Sequence, residues 1–581
     1  MARSKLGIKL GAALAVTGVL LAACGGSSDT GSQKGGTLTF MTHAEKTLHL
    51  DPQRNYTGSD LAFSVTYLTR SLVSYNPAAG PDGTGLVADL ATDIGTPSAD
   101  LKSWSFTLRD GITFQDGSPI TCAEVAYGVS RSFANDVITD GPAFAEGFLD
   151  IPSKDGTSEY PGPYTATAEQ QALFDKAVEC SADGKTITFH LNAPMSDFNY
   201  TTALLTFSPV PLDEGGNKGE AYDLHVVSSG PYKIDSYTPG KSLELSRNEN
   251  WNPDSDPFRK ALPDKVVIKY AQDEKGIDEY IINGTGDGKT TVNLDGIYPD
   301  NLDSVFNDPK METRRLNDYD IYVTYTAFNL KKMTCLQIRK AVFYAVDRQA
   351  LRGLAGGATF GGDFADGVIK PSVLPTDYTP VTGYEDAKPE GNVEKAKALM
   401  EEAKTACPDE YTRVTTTGIT RDYADSDVAR QGFAISQAAL AKAGIVLKAN
   451  FIDAGSYYGV ILNPDQQGDL SGAGWGPDWL NASTVIPPLF MQNGGFDVSQ
   501  TWNDPGYADF AAKVEAAKAT ADRTSQGQQW AALNQYVMDQ MWVLPGLFTK
   551  TQYIWGENVT GVYLWAPYGC PGYNDIGVKS A

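Results

Sequence analysis

Few residues in this chain carry reactive or ligating chemistry, and their spacing matters more than their number. Cys24 follows Leu21-Ala22-Ala23 directly. A thiol there could act as a nucleophile through its thiolate, the form that accepts an alkyl group. The other cysteines are Cys122, Cys180, Cys335, Cys407 and Cys570, and none stands in a Cys-x-x-Cys or zinc-ligand spacing. His43, His49, His190 and His225 form no His-Glu-x-x-His pair, the spacing that sets two imidazoles on one helix face around zinc. His43 and His49 are close enough in sequence to meet a metal, but polar surface is the commoner use, and no metal site is expected. No Ser-His-Asp or Cys-His arrangement can be argued, and no Gly-x-Ser-x-Gly elbow is present. The run Gly284-Thr-Gly-Asp-Gly-Lys-Thr290 imitates a phosphate loop, but Asn283 stands where the first glycine must be. It reads as a flexible loop. The expectation is a protein without catalysis and without a cofactor.

The elements around Cys24 set an address. Arg3, Lys5 and Lys9 precede an uncharged apolar stretch over 10–20, the layout of an export signal. That stretch is shorter than the roughly 18 residues of a spanning helix. Leu-Ala-Ala-Cys resembles the lipobox of bacterial lipoproteins, in which the Cys sulfur is alkylated by a diacylglycerol and the chain is cut just before it. The resemblance implies a signal peptide over 1–23 and a lipid on Cys24. The alternative is a plain signal peptide that a Cys happens to follow. Residues 25–36, GGSSDTGSQKGG, are a flexible tether with a coil reach of roughly 20 Å.

The 581 residues exceed one core, since domains usually hold roughly 100–200. A hydrophobic fraction of 41% suffices for buried cores. The net charge of −24 argues against nucleic acid as a partner, because phosphate binding needs basic patches. The mature chain is expected to be a soluble monomer held to a bacterial cell membrane, outside the cytoplasm, by its lipid. Export permits disulfides. With Cys24 lipidated an odd number of cysteines remains, so at least one stays free or pairs elsewhere. Cys122 and Cys180 share the early region and are the expected pair. The alternative is that all five are small buried apolar residues.

Alternation predicts strands at 37–40, 104–109, 112–115 and 186–191, and a hairpin of 232–237 with 242–247 around Pro239-Gly240. Thr121 and Glu124 form a capping box before a helix reaching about Phe133. Helical stripes and caps predict helices over 338–351, 392–406, 427–443, 507–522 and 524–543, the last ended near Pro545. A strand over 445–451 lies between helices. Strands alternating with helices argue for α/β architecture.

The order of these pieces is recognisable. Leu86-Val-Ala-Asp-Leu-Ala91, Trp104-Ser-Phe-Thr-Leu-Arg-Asp-Gly111, Thr113-Phe-Gln-Asp-Gly-Ser-Pro119 and Glu124-Val125 resemble the signature of the extracellular solute-binding protein family 5. Its members are peptide-, dipeptide- and nickel-binding components of ABC importers. Ser229-Gly-Pro-Tyr-Lys-Ile234 with Tyr237 and Pro239-Gly240, then Arg247-Asn248 with Trp251, resemble later blocks. So do Phe328-Asn329, Ile338-Arg-Lys-Ala-Val-Phe-Tyr-Ala-Val-Asp347 and Ala473-Gly-Trp-Gly-Pro-Asp478. The resemblance covers almost the whole mature chain. It implies a hinged, two-lobed periplasmic-binding-protein-like α/β fold. Lobe I would hold 37–317, with an extra subdomain over about 69–206, and the C-terminal return over 546–581. Lobe II would hold 318–545. A peptide would be captured between the lobes and delivered to the membrane subunits of an ABC permease.

By the same resemblance, an acid at the Asp478 position takes the amino terminus of the ligand. Asp478 also fits a capping role before Trp479. Gly474, Trp475 and Gly476 would supply strand-like contacts to the ligand backbone. Trp475 and Trp479 would line side-chain pockets, although Trp479 suits a lobe core equally. Asn55, Tyr56, Thr57 and Gly58 occupy the facing segment by position. Oligopeptide-binding relatives carry a basic residue where this chain has Gly472, so the partner of the ligand carboxylate is unassigned. Arg421 is a substitute to consider, against the usual solvated state of a lone arginine. An oligosaccharide or a nickel chelate fits the same fold. A lipid-anchored exported hydrolase is the rival of a different class.

Overall fold

The computed structural model describes residues 34–212, 217–374 and 377–579. The expected signal peptide, Cys24 and most of the expected tether lie outside them. Two mixed sheets organise the described chain. In the five-stranded sheet the order is Tyr232–Thr238, Ser242–Arg247, Lys265–Lys269, Thr37–Met41, Thr291–Asn293. Strand Thr37–Met41 is parallel to both neighbours, and Leu38 and Phe40 are fully buried, as befits a central parallel strand covered on both faces. The hairpin of Tyr232–Thr238 and Ser242–Arg247 turns at Pro239-Gly240. Proline presets φ there and Gly240 takes φ +74°, the pairing a type II turn demands.

A smaller sheet joins Thr96–Pro97, Ser103–Thr107, Thr186–His190 and Val178–Cys180. Trp104 opposes Phe189 and Phe106 opposes Ile187, all four buried, so the alternation puts one apolar face inward. Helix Cys122–Arg131 carries the complete Thr121–Glu124 capping box. A disulfide joins Cys122 to Cys180, with Cα atoms 5.7 Å apart. Residues 112–115 do not form a strand. The chain there makes only an isolated bridge, Thr113 to Pro119, because the Asp116-Gly117 turn folds it back within a few residues.

The six-stranded sheet runs Asp363–Phe364, Val543–Ile554, Arg315–Phe328, Leu470–Trp475, Ile419–Ala424, Leu447–Ile452. Its two long strands, Arg315–Phe328 and Val543–Ile554, pair from Arg315–Ile554 to Ala327–Val543. A bridge from Val292 to Trp555 carries this pair across to the first sheet. The chain thus has two lobes with separate cores. One is built on Phe40, Phe63, Tyr67 and Tyr573 and includes Trp565, Tyr568 and Val578. The other is built on Phe328, Phe510, Trp530 and Trp542.

Two expected helices and one expected loop differ. The single helix over 338–351 is two, Leu336–Ala345 and Arg348–Leu354. Asp347 turns its carboxylate onto the Ala350 N–H and starts a new helix. The last helix, Arg523–Asp539, stops before Pro545, which lies inside strand Val543–Ile554 beside a register irregularity, where a proline is tolerated. The phosphate-loop imitation is a fixed 3-10 turn, Gly286–Thr290. Asp287 anchors it by accepting from Thr39, Lys269 and Tyr280. A second disulfide joins Cys335 to Cys407, tying the start of helix Leu336–Ala345 to the end of helix Val393–Ala406, and Cys570 is buried and free. No described helix is long and apolar enough to cross a membrane.

Candidate functional site

Strand Leu470–Trp475 carries the site because its two edges are treated differently. On one side it pairs with Arg315–Phe328 as far as Trp475. On the other, pairing with Ile419–Ala424 ends at Ser471. From Gly472 onward that second edge borders a cavity, with the Gly472 carbonyl accepting from the Tyr457 hydroxyl at 2.8 Å. Glycines at 472, 474 and 476 keep one face of this segment free of side chains. At Gly476 the reason is steric, since a Cβ would lie 2.6 Å from the Tyr322 ring.

The cavity has two chambers. One, of about 580 Å³, is walled by Tyr56, Thr57, Gly58, Tyr322, Trp475 and Asp478 among others. The second, of about 550 Å³, is walled by Arg348, Arg352, Arg421, Tyr423 and Tyr457 among others. Thr324, Tyr458 and Gly474 line both, so the two meet along the strand.

Asp478 is half-buried and accepts a 2.5 Å hydrogen bond from the Tyr56 hydroxyl at Oδ1. Burial pushes its carboxyl up to about 6, against the opposing pull of that hydrogen bond. A carboxylate so poorly solvated gains strongly from a cation. Thr57 precedes helix Gly58–Tyr67. Gly58 is packed so closely that a Cβ would sit 2.5 Å from the Tyr568 carbonyl oxygen.

Gly474, Trp475, Gly476, Asp478, Tyr56, Thr57 and Gly58 all line one chamber. Trp475 packs against Phe496 with the rings tilted by 46° and their centroids 5.0 Å apart, and it donates its N–H to the Thr484 carbonyl. Trp479 and Asn55 do not line the cavity. The Trp479 indole turns into the first core between Phe144 and Phe148 and donates to Asp197 at 2.7 Å. Asn55 is buried and donates to Ser64 and the Asp60 carbonyl. Tyr322, Tyr458, Arg348 and Arg352 line the chambers without any local sequence signal. They are single side chains from three separate segments, brought together only by the sheet. Among the described residues no cluster of His, Cys, Asp and Glu could hold a metal.

The comparisons with known proteins agree with this architecture. The probable D,D-dipeptide-binding periplasmic protein DdpA of Escherichia coli (strain K12) is 25% identical over 509 residues, 84% of either chain. The oligopeptide-binding protein OppA of Bacillus subtilis (strain 168) is 22% identical over 586 residues, 97% of either chain. The solved structure of the clavulanic acid biosynthesis oligopeptide binding protein 2 superimposes with a TM-score of 0.83 at 26% identity, covering 94% of this chain and 96% of that one. The model of the bacterial extracellular solute-binding proteins, family 5 Middle, matches residues 85–497, and the chain belongs to that family.

Proposed function

We propose that this protein is the substrate-binding component of an ABC importer and that it captures oligopeptides between its lobes. The observation that carries the reading is the open edge of strand Leu470–Trp475 beside the Asp478 carboxylate in one cavity. A peptide can add to that edge by backbone hydrogen bonds, which are indifferent to its side chains, while Asp478 takes its α-ammonium group. The names of the relatives, dipeptide- and oligopeptide-binding proteins, support the same class. In this reading lobe I comprises 37–317 with its subdomain over 69–206 and the return over 546–581, lobe II comprises 318–545, and the monomer is anchored by a lipid on Cys24. The ligand leaves chemically unchanged.

Tyr56, Tyr322, Tyr458 and Trp475 in the wall favour an oligosaccharide as the second reading, because sugars lie on aromatic faces. Mass spectrometry of whatever copurifies decides between them, followed by thermal shift against peptide, sugar and metal panels, since a true ligand stabilises with the logarithm of its concentration. A peptide that emerged cleaved would overturn the reading in favour of a hydrolase. For the anchor, Cys24→Ser should move the protein from the membrane fraction into the medium.

A further inference from the structure

We infer that Asp197 is the centre of a clasp that holds the two lobes closed and, through the 479–483 segment, positions Asp478 for the ligand. This rests on the lobe division and the peptide reading above, and adds to them a closing contact made away from the ligand.

Asp197 stands directly before the short helix Phe198–Thr201, where an aspartate ordinarily caps the first turn, yet its side chain makes no cap bond. Its Oδ2 accepts instead from the Trp479 indole N–H, the Asn481 amide and the Ser483 hydroxyl, at 2.7, 2.6 and 2.5 Å. Asp197 belongs to the subdomain over 69–206, and the three donors belong to lobe II. Two more hydrogen bonds cross the same divide. The Leu480 N–H donates to the Tyr75 hydroxyl at 3.1 Å, and the Gln526 amide donates to the Ser196 hydroxyl at 2.9 Å. Arg523, on the same lobe II helix as Gln526, lies over the Tyr200 ring at 5.1 Å. Tyr75, Ser196, Asp197 and Tyr200 line neither chamber of the cavity.

The gripped segment is shared between the two cores. Trp479 and Leu480 are buried in the first, Ala482 and Val485 in the second, so the chain passes from one to the other across Asn481. Its base is fixed in lobe II, where the Trp475 N–H donates to the Thr484 carbonyl at 2.7 Å. Asp478 immediately precedes the segment, and its own bond from Tyr56 also crosses between the lobes. The ligand acid is therefore set in place only while lobe I holds the segment behind it.

The contact is built to part. Outside Trp479 and Leu480 it consists of hydrogen bonds and one cation–π contact. Polar groups regain partners from water when they separate, so each such bond has a modest net worth. Interfaces between domains that move are polar in the same way. Beside the clasp, a cavity of about 270 Å³ lies between Thr84 and Tyr200 on one side and Leu374, Arg523 and Gln526 on the other. The two faces touch there without the close packing of a core. A closing contact independent of the ligand lets the empty protein populate its closed form, which raises apparent affinity and slows release.

The test uses the full chain carrying two dyes, attached through unnatural amino acids at the exposed Ala182 and Ala398. Single-molecule energy transfer then reads the distance between the subdomain and lobe II. Asp197→Asn keeps the size of the side chain and removes its charge. Without any ligand, the ratio of open to closed molecules is expected to rise at least about tenfold in this variant, the loss of one hydrogen bond to a charged group. An unchanged ratio would mean that the segment is welded to lobe I, and overturns the inference. Tyr75→Phe with Ser196→Ala removes two neutral bonds and leaves Asp197 in place. It should raise the ratio about threefold, and it decides the matter if Asp197→Asn does not fold. With a mixed pool of tri-, tetra- and pentapeptides as the probe, Asp197→Asn should release bound peptide at least about tenfold faster while association stays within about threefold. A merely weakened fold would not split the two rates in this way. Release at the natural rate from a variant whose lobes open more often would also overturn the clasp. Failure of the pool to bind removes the peptide reading and leaves the distance measurement to judge the clasp alone.

Discussion

Tyr56 and Asp478 stand 422 residues apart in sequence and meet through one hydrogen bond, hydroxyl to carboxylate at 2.5 Å. The contact closes one end of the cavity, yet it leaves the rest of a poorly solvated carboxylate without a cation. In the proposed reading a ligand ammonium would answer that need. Replacing Asp478 should therefore cost binding and spare the fold. Asp478→Ala is expected to weaken peptide affinity by at least about tenfold, the loss of one desolvated charge-assisted bond, while the melting temperature of the empty protein stays level or rises. Titration calorimetry paired with a thermal melt checks both. Unaltered affinity would remove the ammonium role.

The same carboxyl makes a signed prediction about pH. Its folded value is raised from 3.8 to about 6, so between those values the folded protein holds a proton the unfolded chain has released. Its contribution to stability therefore falls as pH rises through that window and is constant above it. Peptide affinity moves the opposite way, rising through about 6 as the carboxylate forms. Asp60 and Asp497 are pushed by burial to about 6 and about 7 and titrate nearby, so the measurement is the difference between the natural protein and Asp478→Asn. Tyr56→Phe removes the hydrogen bond that lowers the Asp478 value, and should shift the midpoint of the affinity profile upward. A midpoint that Tyr56→Phe leaves unmoved would argue that the hydroxyl does not tune the acid.

How much of this was legible beforehand depended on how local the cause was. Trp104 and Phe106 announce a strand because their partners lie on the face their own alternation selects. Thr121 and Glu124 cap their helix within one turn. Pro545 misleads because a proline ends a helix in isolation, but here strand Val543–Ile554 absorbs it at an irregularity set by its neighbour. Asp347 misleads in the other direction, since its side chain restarts a helix where the apolar stripe runs on. Trp479 was readable as either pocket or core. Its indole found Asp197, 282 residues away, which no sequence spacing could select. The arginine chamber is less legible still, because Arg348 and Arg352 come from one helix and Arg421 from a strand that approaches it only in the folded sheet.

Asp197 gathers three donors from the segment just after Asp478. They are the Trp479 indole, the Asn481 amide and the Ser483 hydroxyl, all within 2.7 Å. Asp197 and Trp479 are both buried. Asp197→Ala would leave those donors unanswered, and each buried orphan costs about 1–3 kcal/mol. Urea denaturation should show a loss above about 2 kcal/mol on that scale. Peptide binding should weaken as well, because the loop that carries Asp478 would lose its anchor. A stable Asp197→Ala protein with natural affinity would show that solvent or rearrangement satisfies the donors.

The two disulfides sit in different cores and close loops of similar length, with sequence separations of 58 and 72. Loop-closure entropy varies slowly with length, so the two bonds should be worth nearly the same, about 2–4 kcal/mol each. The first ties helix Cys122–Arg131 to strand Val178–Cys180, and the second ties the start of Leu336–Ala345 to the end of Val393–Ala406. Neither touches the cavity lining. Cys122→Ser with Cys180→Ser, and separately Cys335→Ser with Cys407→Ser, should each lower stability to chemical denaturation by that amount. Peptide affinity at a temperature where the protein remains folded should be unchanged. A double variant that kept its stability but lost affinity would mean that the bond acts on the site through the lobe, not on the unfolded chain.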